Sequence, residues 1–376
     1  MAFFRKSKPT EITDPWVYVN QGLSYLKQGE LGAAIESFSK ALKLNPRLAS
    51  AYTNRGLAYE KQYAYDLAIA DFSKVIEINP GDAEAYLRRA SAYYSKNDLE
   101  LAITDCSKAL VLDPIFADAF TLRGLTYDKL GQFNLAISDY TKAIEMNPKD
   151  AEAYCGRGVN YDAQGEFALA IADFNRAIQH DPTNALMYYN RGRTFHAISE
   201  YDNAILDFSK CLELNPEYPL CHYNRGNAYR AKGGYFMAIS DYNRELDLNP
   251  KFSLAYYSRG TAHTAMGEYD QAIADFSKAI ELNPKLADAY DGRGVAYRHK
   301  GLYVLAIADH TRAIELNSRC IIAYYNKALS QDKLAQKLEA ILSYQTFLQF
   351  APQHLHEQVD RAKQRIKELH SEVSSA

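Results

Sequence analysis

The chain has 376 residues, 47% of them hydrophobic and 24% charged, with a formal net charge of −3. That balance suits a well-packed protein and gives no broad electrostatic pull toward nucleic acid or a lipid surface. Phe3, Phe4, Arg5, Lys6 and Lys8 open the chain with no apolar run behind them, so neither a signal peptide nor a transmembrane segment is expected.

Cys106, Cys155, Cys211, Cys221 and Cys320 include no C-x-x-C pair. Reduced thiols in a cytoplasmic setting are expected, with no metal, no cofactor and no disulfide framework.

Residues 1–14 read as a short flexible segment, and behind it the chain repeats itself. Prolines stand at 46, 80, 114, 148, 182, 216, 250 and 284, each 34 residues after the last; Ser318 takes the next place and Pro352 resumes the series. Most follow Asn or Asp, as in Asn45-Pro46 and Asn283-Pro284, a helix-ending turn signal. With proline at position 32, ten repeats follow in order: 15–48, 49–82, 83–116, 117–150, 151–184, 185–218, 219–252, 253–286, 287–320 and 321–354. In each, apolar residues recur at helical spacing near positions 1–14 and 17–30. This predicts an antiparallel pair of helices joined by a very short turn.

Position 8 is glycine in eight repeats, from Gly22 to Gly294, with Ala90 and Ala328 in the others. A glycine inside a helix costs about 1 kcal/mol relative to alanine, so a neighbouring helix must approach the backbone there. Position 20 is alanine throughout, from Ala34 to Ala340, and reads as the surface that approaches. Larger residues surround them, such as Tyr154, Tyr161 and Phe174 in the fifth repeat. A pair this small cannot bury enough surface alone, so the repeats are expected to stack on one another.

The 34-residue period and the order of aromatic, Gly, Tyr, Ala, aromatic and Pro resemble the tetratricopeptide repeat (TPR) family over residues 15–354. The fifth repeat carries the pattern at Tyr154, Gly158, Tyr161, Phe167, Ala170, Phe174, Ala177 and Pro182. The resemblance implies an all-α fold, a right-handed α-α superhelix whose first helices line a concave inner surface. The last repeat departs most, with Ala328, Gln331, Lys337 and Phe347 at pattern positions. After it, Leu355, Val359, Ala362, Ile366 and Leu369 share one helical face, which predicts a capping helix over 355–370 and a disordered tail over 371–376.

Two charged ladders run in phase. Position 7 is arginine in eight repeats, from Arg55 to Arg293, and position 23 is aspartate in eight, from Asp71 to Asp309. Matched in number, they read as structural ion pairs between helices rather than a phosphate-binding strip. His222, His263, His310 and Glu245 occupy core positions. Glu245 is expected to be locally paired or to reach solvent, with Arg259 or His263 as the partners that would make it a buried switch.

In the TPR family, positions 2, 5, 6, 9, 12 and 13 of the first helix face the groove, and they share one helical stripe. Position 6 is asparagine at Asn20, Asn54, Asn190, Asn224 and Asn326, similar to the asparagine ladder of the O-GlcNAc transferase repeat region, which grips peptide backbones. An amide offers both donor and acceptor to a peptide unit. Repeats six to eight add Leu186, Leu220 and Leu254 at position 2 and Tyr189, Tyr223 and Tyr257 at position 5. Arg193 and Asn227 follow at position 9, with His196 and Arg230 at position 12. Aromatic, amide and arginine groups on one strip suit an interface. Repeats three to five are more acidic, with Glu84, Asp118, Asp128, Glu152 and Asp162.

The main binding segment is therefore expected in repeats six to eight, and Tyr223→Ala with Asn224→Ala is expected to abolish capture while leaving helical CD unchanged. The clamp for an Hsp70 or Hsp90 tail is not matched: Asn54 and Arg88 fit it, while Val19, Leu23 and Glu84 do not. No phosphate loop, nucleophile elbow, dinucleotide fingerprint or zinc-protease pattern occurs. The expected function is a noncatalytic protein- or peptide-binding adaptor or assembly scaffold, monomeric, using the inner groove. The alternative is self-assembly by end-to-end stacking of terminal repeats.

Overall fold

The computed structural model describes residues 14–374, so the opening segment expected to be flexible, except Asp14, and residues 375–376 of the tail lie outside the described residues. The chain divides after Thr183 into two compact halves. Every regular element among the described residues is helical.

The N-terminal half holds repeats one to five. Its helices are α1 (Pro15–Gln28), α2 (Leu31–Leu44), α3 (Ala49–Lys61), α4 (Tyr65–Ile78) and α5 (Ala83–Lys96). They continue with α6 (Leu99–Leu112), α7 (Ala117–Lys129), α8 (Phe133–Met146), α9 (Ala151–Ala163) and α10 (Phe167–His180). The C-terminal half begins with α11 (Ala185–Ala197), α12 (Tyr201–Leu214), α13 (Cys221–Ala231), α14 (Tyr235–Leu248) and α15 (Ser253–Ala265). It ends with α16 (Tyr269–Leu282), α17 (Ala287–His299), α18 (Tyr303–Leu316), α19 (Ile321–Lys333), α20 (Lys337–Phe350) and α21 (His356–Ser374).

Two local devices shape each pair. Position 15 adopts a left-handed backbone in all ten repeats: glycine in six, and Tyr63, Asn97, Ser199 and Ala335 in the rest. That conformation turns the chain from first helix to second, and glycine adopts it without a Cβ clash. At the far end, the side chain of the Asn or Asp before proline accepts the backbone N–H two residues on, as from Arg47 to Asn45 at 3.0 Å and from Ile115 to Asp113 at 3.2 Å. This Asx turn stops the second helix and redirects the chain into the next repeat.

The arginine ladder is structural. Nε and Nη2 of Arg55 donate to Oδ2 and Oδ1 of Asp71 at 2.8 and 2.7 Å. The same two-pronged pairing recurs at all eight positions through Arg293 and Asp309. The remaining prong reaches backwards: Nη1 of Arg55, Arg89, Arg225 and Arg293 donates to Ser39, Ser73, Ser209 and Ser277 of the preceding repeat. One guanidinium thus ties two helices of its own repeat to the repeat before. Rings at positions 4 and 11 flank it, with Tyr52 and Tyr59 centred 5.6 and 5.9 Å from Arg55. Much of the chain's tyrosine sits in these cation–π brackets.

The position-8 glycines do meet a close neighbour, but chiefly a different one from the expected alanine. A Cβ on Gly56 would stand 2.7 Å from the Phe72 ring, and one on Gly22 2.6 Å from Phe38. The position-24 ring, on the second helix, fills the space, and the alanine at position 20 is small so that the helices come near enough for it to do so. At Gly226 the backbone of a position-20 residue, Ala238, also joins the contact, at 3.3 Å.

Within each half, first helices of adjacent repeats touch (α5 with α7, α7 with α9, α15 with α17, α17 with α19). Adjacent second helices do not approach comparably among the described residues. Each stack therefore closes toward its first helices, which form the inner face.

Three boundaries move. The first helix of repeat seven starts at Cys221, not at position 1, because Leu220 sits in a left-handed turn (φ 60°, ψ 2°) that a right-handed helix cannot contain. The last helix runs through 371–374, which was expected to be disordered: Glu372 accepts from Arg365 at 3.0 Å and pairs with Lys337 at 3.2 Å. A short 3₁₀ turn, Gln353–Leu355, precedes it, so the capping helix begins one residue late. Ala362 and Leu369 are buried against the final pair, with Val359 and Ile366 packed alongside, as a cap requires.

Glu245 does not reach solvent, and it is paired with the backbone rather than with Arg259 or His263. Its Oε2 accepts the Tyr223 backbone N–H at 3.4 Å, and burial, against the pull of that N–H and of His222, raises its pKa. His263 instead faces Glu268 at 2.5 Å.

Candidate functional site

The inner face of repeats six to eight is built in two levels. The floor consists of Tyr189, Tyr223 and Tyr257, half-buried at position 5. Tyr189 rests on Phe208 and Tyr218 with ring centroids 6.0 and 4.9 Å apart, and Tyr223 rests on Tyr242 and Phe252 at 5.9 and 4.9 Å. Burial, opposed by Arg193, raises the pKa of Tyr189, so its hydroxyl stays protonated and available as a hydrogen-bonding group. Above the floor stand Leu186 and Leu254, 43% and 41% exposed, and the exposed Arg193. His196 is half-buried with its ring edge against Tyr201, and burial, then Arg230, lowers its pKa below the usual 6.5. Leu220 does not stand on this helical stripe, since it lies in the turn before α13, although it remains exposed.

The asparagines are drawn into the protein's own hydrogen bonds. Asn224 Nδ2 donates to the Tyr189 hydroxyl at 3.0 Å, and Asn326 Nδ2 donates to Asp291 at 3.2 Å. Both join position 6 of one repeat to position 5 of the repeat before it, and Ser258 reaches Tyr223 the same way at 3.5 Å. Asn227 accepts from the Tyr242 hydroxyl at 2.8 Å, Asn54 donates to the Ser50 carbonyl of its own helix, and Asn190 is buried. Asn20 alone of the ladder is exposed. Where position 6 is glycine, a ring explains it: a Cβ on Gly292 would stand 2.7 Å from Phe276 of the repeat before, and one on Gly156 would overlap Tyr140.

The stripe continues past the residues singled out from sequence. Tyr257, Thr261 and Thr264 join Asp288, Asp291 and Ile322 around a cavity of about 390 Å³ on the inner face of repeats eight to ten. The same positions 2, 5, 9 and 12 would have found it, had the stripe been followed beyond repeat eight.

The TPR repeat description matches residues 22–62 and 192–233, and the tetratricopeptide repeat description matches 49–82, 83–116, 253–286 and 121–185. Together these matches cover more than half of the chain, and three of them coincide with repeats two, three and eight. The chain belongs to the tetratricopeptide repeat family. Among solved TPR structures, the C-terminal part of a TPR repeat-containing protein from Cytophaga hutchinsonii is 24% identical, covering 63% of this chain and 97% of that one with a TM-score of 0.51. PilF of Pseudomonas aeruginosa is 18% identical, covering 58% and 97% with a TM-score of 0.50. YrrB, titled a TPR protein with an unusual peptide-binding site, is 26% identical over 50% of this chain and 97% of its own, with a TM-score of 0.41. No curated protein matches the chain.

No His, Cys, Asp or Glu cluster suited to a metal occurs among the described residues, and no helix there is long and apolar enough to cross a membrane. The TPR inner face of the N-terminal half carries one group poised near neutrality. Burial lifts Glu60 to about 7, against the pull of Arg88 and the hydrogen bond of Ser91. A raised carboxyl contributes stability that is complete below its ordinary 4.5 and lost as pH rises through about 7. Glu60→Gln should therefore flatten the fall in stability across that window. A ¹³C titration of the Glu60 carboxyl should show a midpoint near 7; one near 4.5 would contradict the assignment.

Proposed function

We propose that the inner face of repeats six to eight binds an extended segment of a partner protein, making this TPR chain a noncatalytic adaptor or assembly scaffold. One observation carries this reading. Leu186, Leu254 and Arg193 stand exposed over a tyrosine floor in which the Tyr189 hydroxyl is already held by Asn224, beside a concavity of about 390 Å³. Exposed apolar and arginine groups on a preordered aromatic base offer affinity without a large ordering cost. The alternative, end-to-end stacking, is disfavoured by α21, which buries Ala362 and Leu369 against the last pair and turns a largely charged face outward.

The structure changes which variants are informative. Tyr223 lies between rings, so Tyr223→Ala with Asn224→Ala would loosen the stack and not only the groove, and unchanged CD is no longer the expected result. Random linear peptides displayed on phage and panned against the full chain give a cleaner test. Enriched peptides should cross-link to benzoylphenylalanine placed at Leu254 and not at Phe236, which is 75% exposed on the second helix of repeat seven. No enrichment, or cross-linking at Phe236 alone, would reject the proposal.

A further inference from the structure

Several arginines of the C-terminal half are held by carboxylates. Arg191, Arg225, Arg259 and Arg293 are locked to aspartates, and Arg365 is held by Asp332. Arg193 and Arg230 are different: among the described residues neither is paired with a carboxylate. Both stand on the inner stripe, at position 9 of repeat six and position 12 of repeat seven. Arg230 lies close enough to His196 to depress its protonation, and Arg193 acts likewise on Tyr189. The inner stripe of these two repeats contains Leu186, Tyr189, Asn224 and Asn227 besides, and no acid.

A second observation points to a missing acceptor. Arg230 Nε is buried with no hydrogen-bond partner among the described residues. Leaving a buried donor unmatched is costly, and such groups in folded proteins call for an explanation. Arg88 and Arg298 share the feature, but Arg88 already holds Glu84 at 2.5 Å, and Arg298 lines a trough with Asp332 and Glu368. Two repeats further on, acids appear. Asp288 and Asp291 line the cavity beside Tyr257, and Asp288 helps burial hold the Tyr257 hydroxyl protonated. The inner stripe is thus free of acid at repeats six and seven, whereas repeat nine brings Asp288 and Asp291 at positions 2 and 5, with Arg298 at position 12.

Resting on the groove reading above, we propose that the partner segment is acidic where it crosses repeats six and seven, with internal glutamate or aspartate side chains seated between Arg193 and Arg230. Leu186 and Leu254 flank that position, so apolar side chains alternating with the acids fit the same strip. An extended peptide sends successive side chains to opposite sides, which allows one set to meet the leucines and the other the arginines. Arginine favours this role because its planar guanidinium offers a carboxylate two parallel donors. Asp288 and Asp291 would repel acids, so the acidic stretch ends before them.

Fluorescein-labelled peptides alternating leucine with glutamate, glutamine or lysine, blocked at both ends, test this against the full chain by anisotropy. Blocking removes the terminal carboxylate, so only side chains are read. The leucine–glutamate peptide should bind roughly tenfold tighter than the leucine–glutamine peptide, the scale of one charged hydrogen bond. Added salt should shrink the difference. Arg193→Gln with Arg230→Lys should reduce it. Arg193 is exposed and Arg230→Lys keeps the charge and stem, so folding should survive both changes. Arg193→Glu should favour the lysine peptide instead. Equal binding of the glutamate and glutamine peptides would overturn the acidic assignment while leaving the groove reading intact. Binding of none of the three would overturn both. Tighter binding of a leucine–phosphoserine peptide than of the glutamate peptide would replace carboxylate by phosphate and refute the proposal as stated.

Discussion

Asp241→Ala is expected to destabilise the C-terminal half by about 3–5 kcal/mol, the cost of stripping one partner from a buried ion pair. Asp241 is buried and accepts Nε and Nη2 of Arg225 at 2.9 and 2.7 Å, while His222 Nδ1 faces it at 3.3 Å. Alanine would leave a guanidinium enclosed on several sides with one remaining bond, to Ser209 at 3.1 Å. The surface pair of Glu36 and Lys40 is the control, since exposed pairs of this kind are screened by solvent and contribute little. Urea denaturation followed by CD would compare the two, with amide exchange in α12 to α14 locating the loss, because repeats open locally. Arg225→Met with Asp241→Leu should recover much of the stability, as removing both charges leaves none stranded. An Asp241→Ala shift no larger than that of Glu36→Ala would show that the ladder contributes little.

The repeating architecture was legible because its signals are local. Proline after Asn or Asp stops a helix wherever it occurs, and nine of the ten first helices begin at position 1 of their repeats. The exception, α13, follows from the left-handed backbone at Leu220, which the period does not signal. The Arg–Asp pairing was also legible, since both residues recur with the period and in matched number. What the sequence concealed was contact between residues separated by roughly one repeat. Asn224 with Tyr189 and Asn326 with Asp291 are 35 residues apart, and their meeting depends on how one first helix is offset against the next. Hydrophobic spacing within a helix carries no information about that offset.

The candidate site was half legible for the same reason. The stripe itself follows from helical geometry, and Leu186, Arg193 and Leu254 stand exposed on it. Whether an asparagine on the stripe faces outward or toward the neighbouring repeat is decided by what lies opposite: an exposed setting at Asn20, a tyrosine hydroxyl at Asn224. The tail differed because Arg365, Lys337 and Glu372 meet only once α21 is laid against α20. Composition at 371–374 shows no such anchor.

Gly56→Ala is expected to cost about 1–3 kcal/mol through overpacking, although alanine is the better helix former by about 1 kcal/mol. The new methyl would lie 2.7 and 2.9 Å from Cε1 and Cζ of Phe72, well inside van der Waals contact, and Phe72 is fully buried with no room to retreat. The collision should therefore outweigh the propensity gain. Trimming the ring isolates the cause. In a Phe72→Leu background the same Gly56→Ala change should become neutral or stabilising, giving a coupling of roughly 1–3 kcal/mol in a double-mutant cycle. Gly32 supplies the contrast, because nothing lies within 4 Å of a Cβ placed there, and Gly32→Ala should be neutral or slightly stabilising. The four chains of the cycle and the Gly32 variant can be compared by urea midpoint. If Gly56→Ala matched the parent, or if the cycle showed no coupling, the ring would not be what holds glycine at position 8. The recurrence of glycine there would then have to come from the approach of the helix backbones themselves, of which the Ala238 contact at Gly226 is one instance.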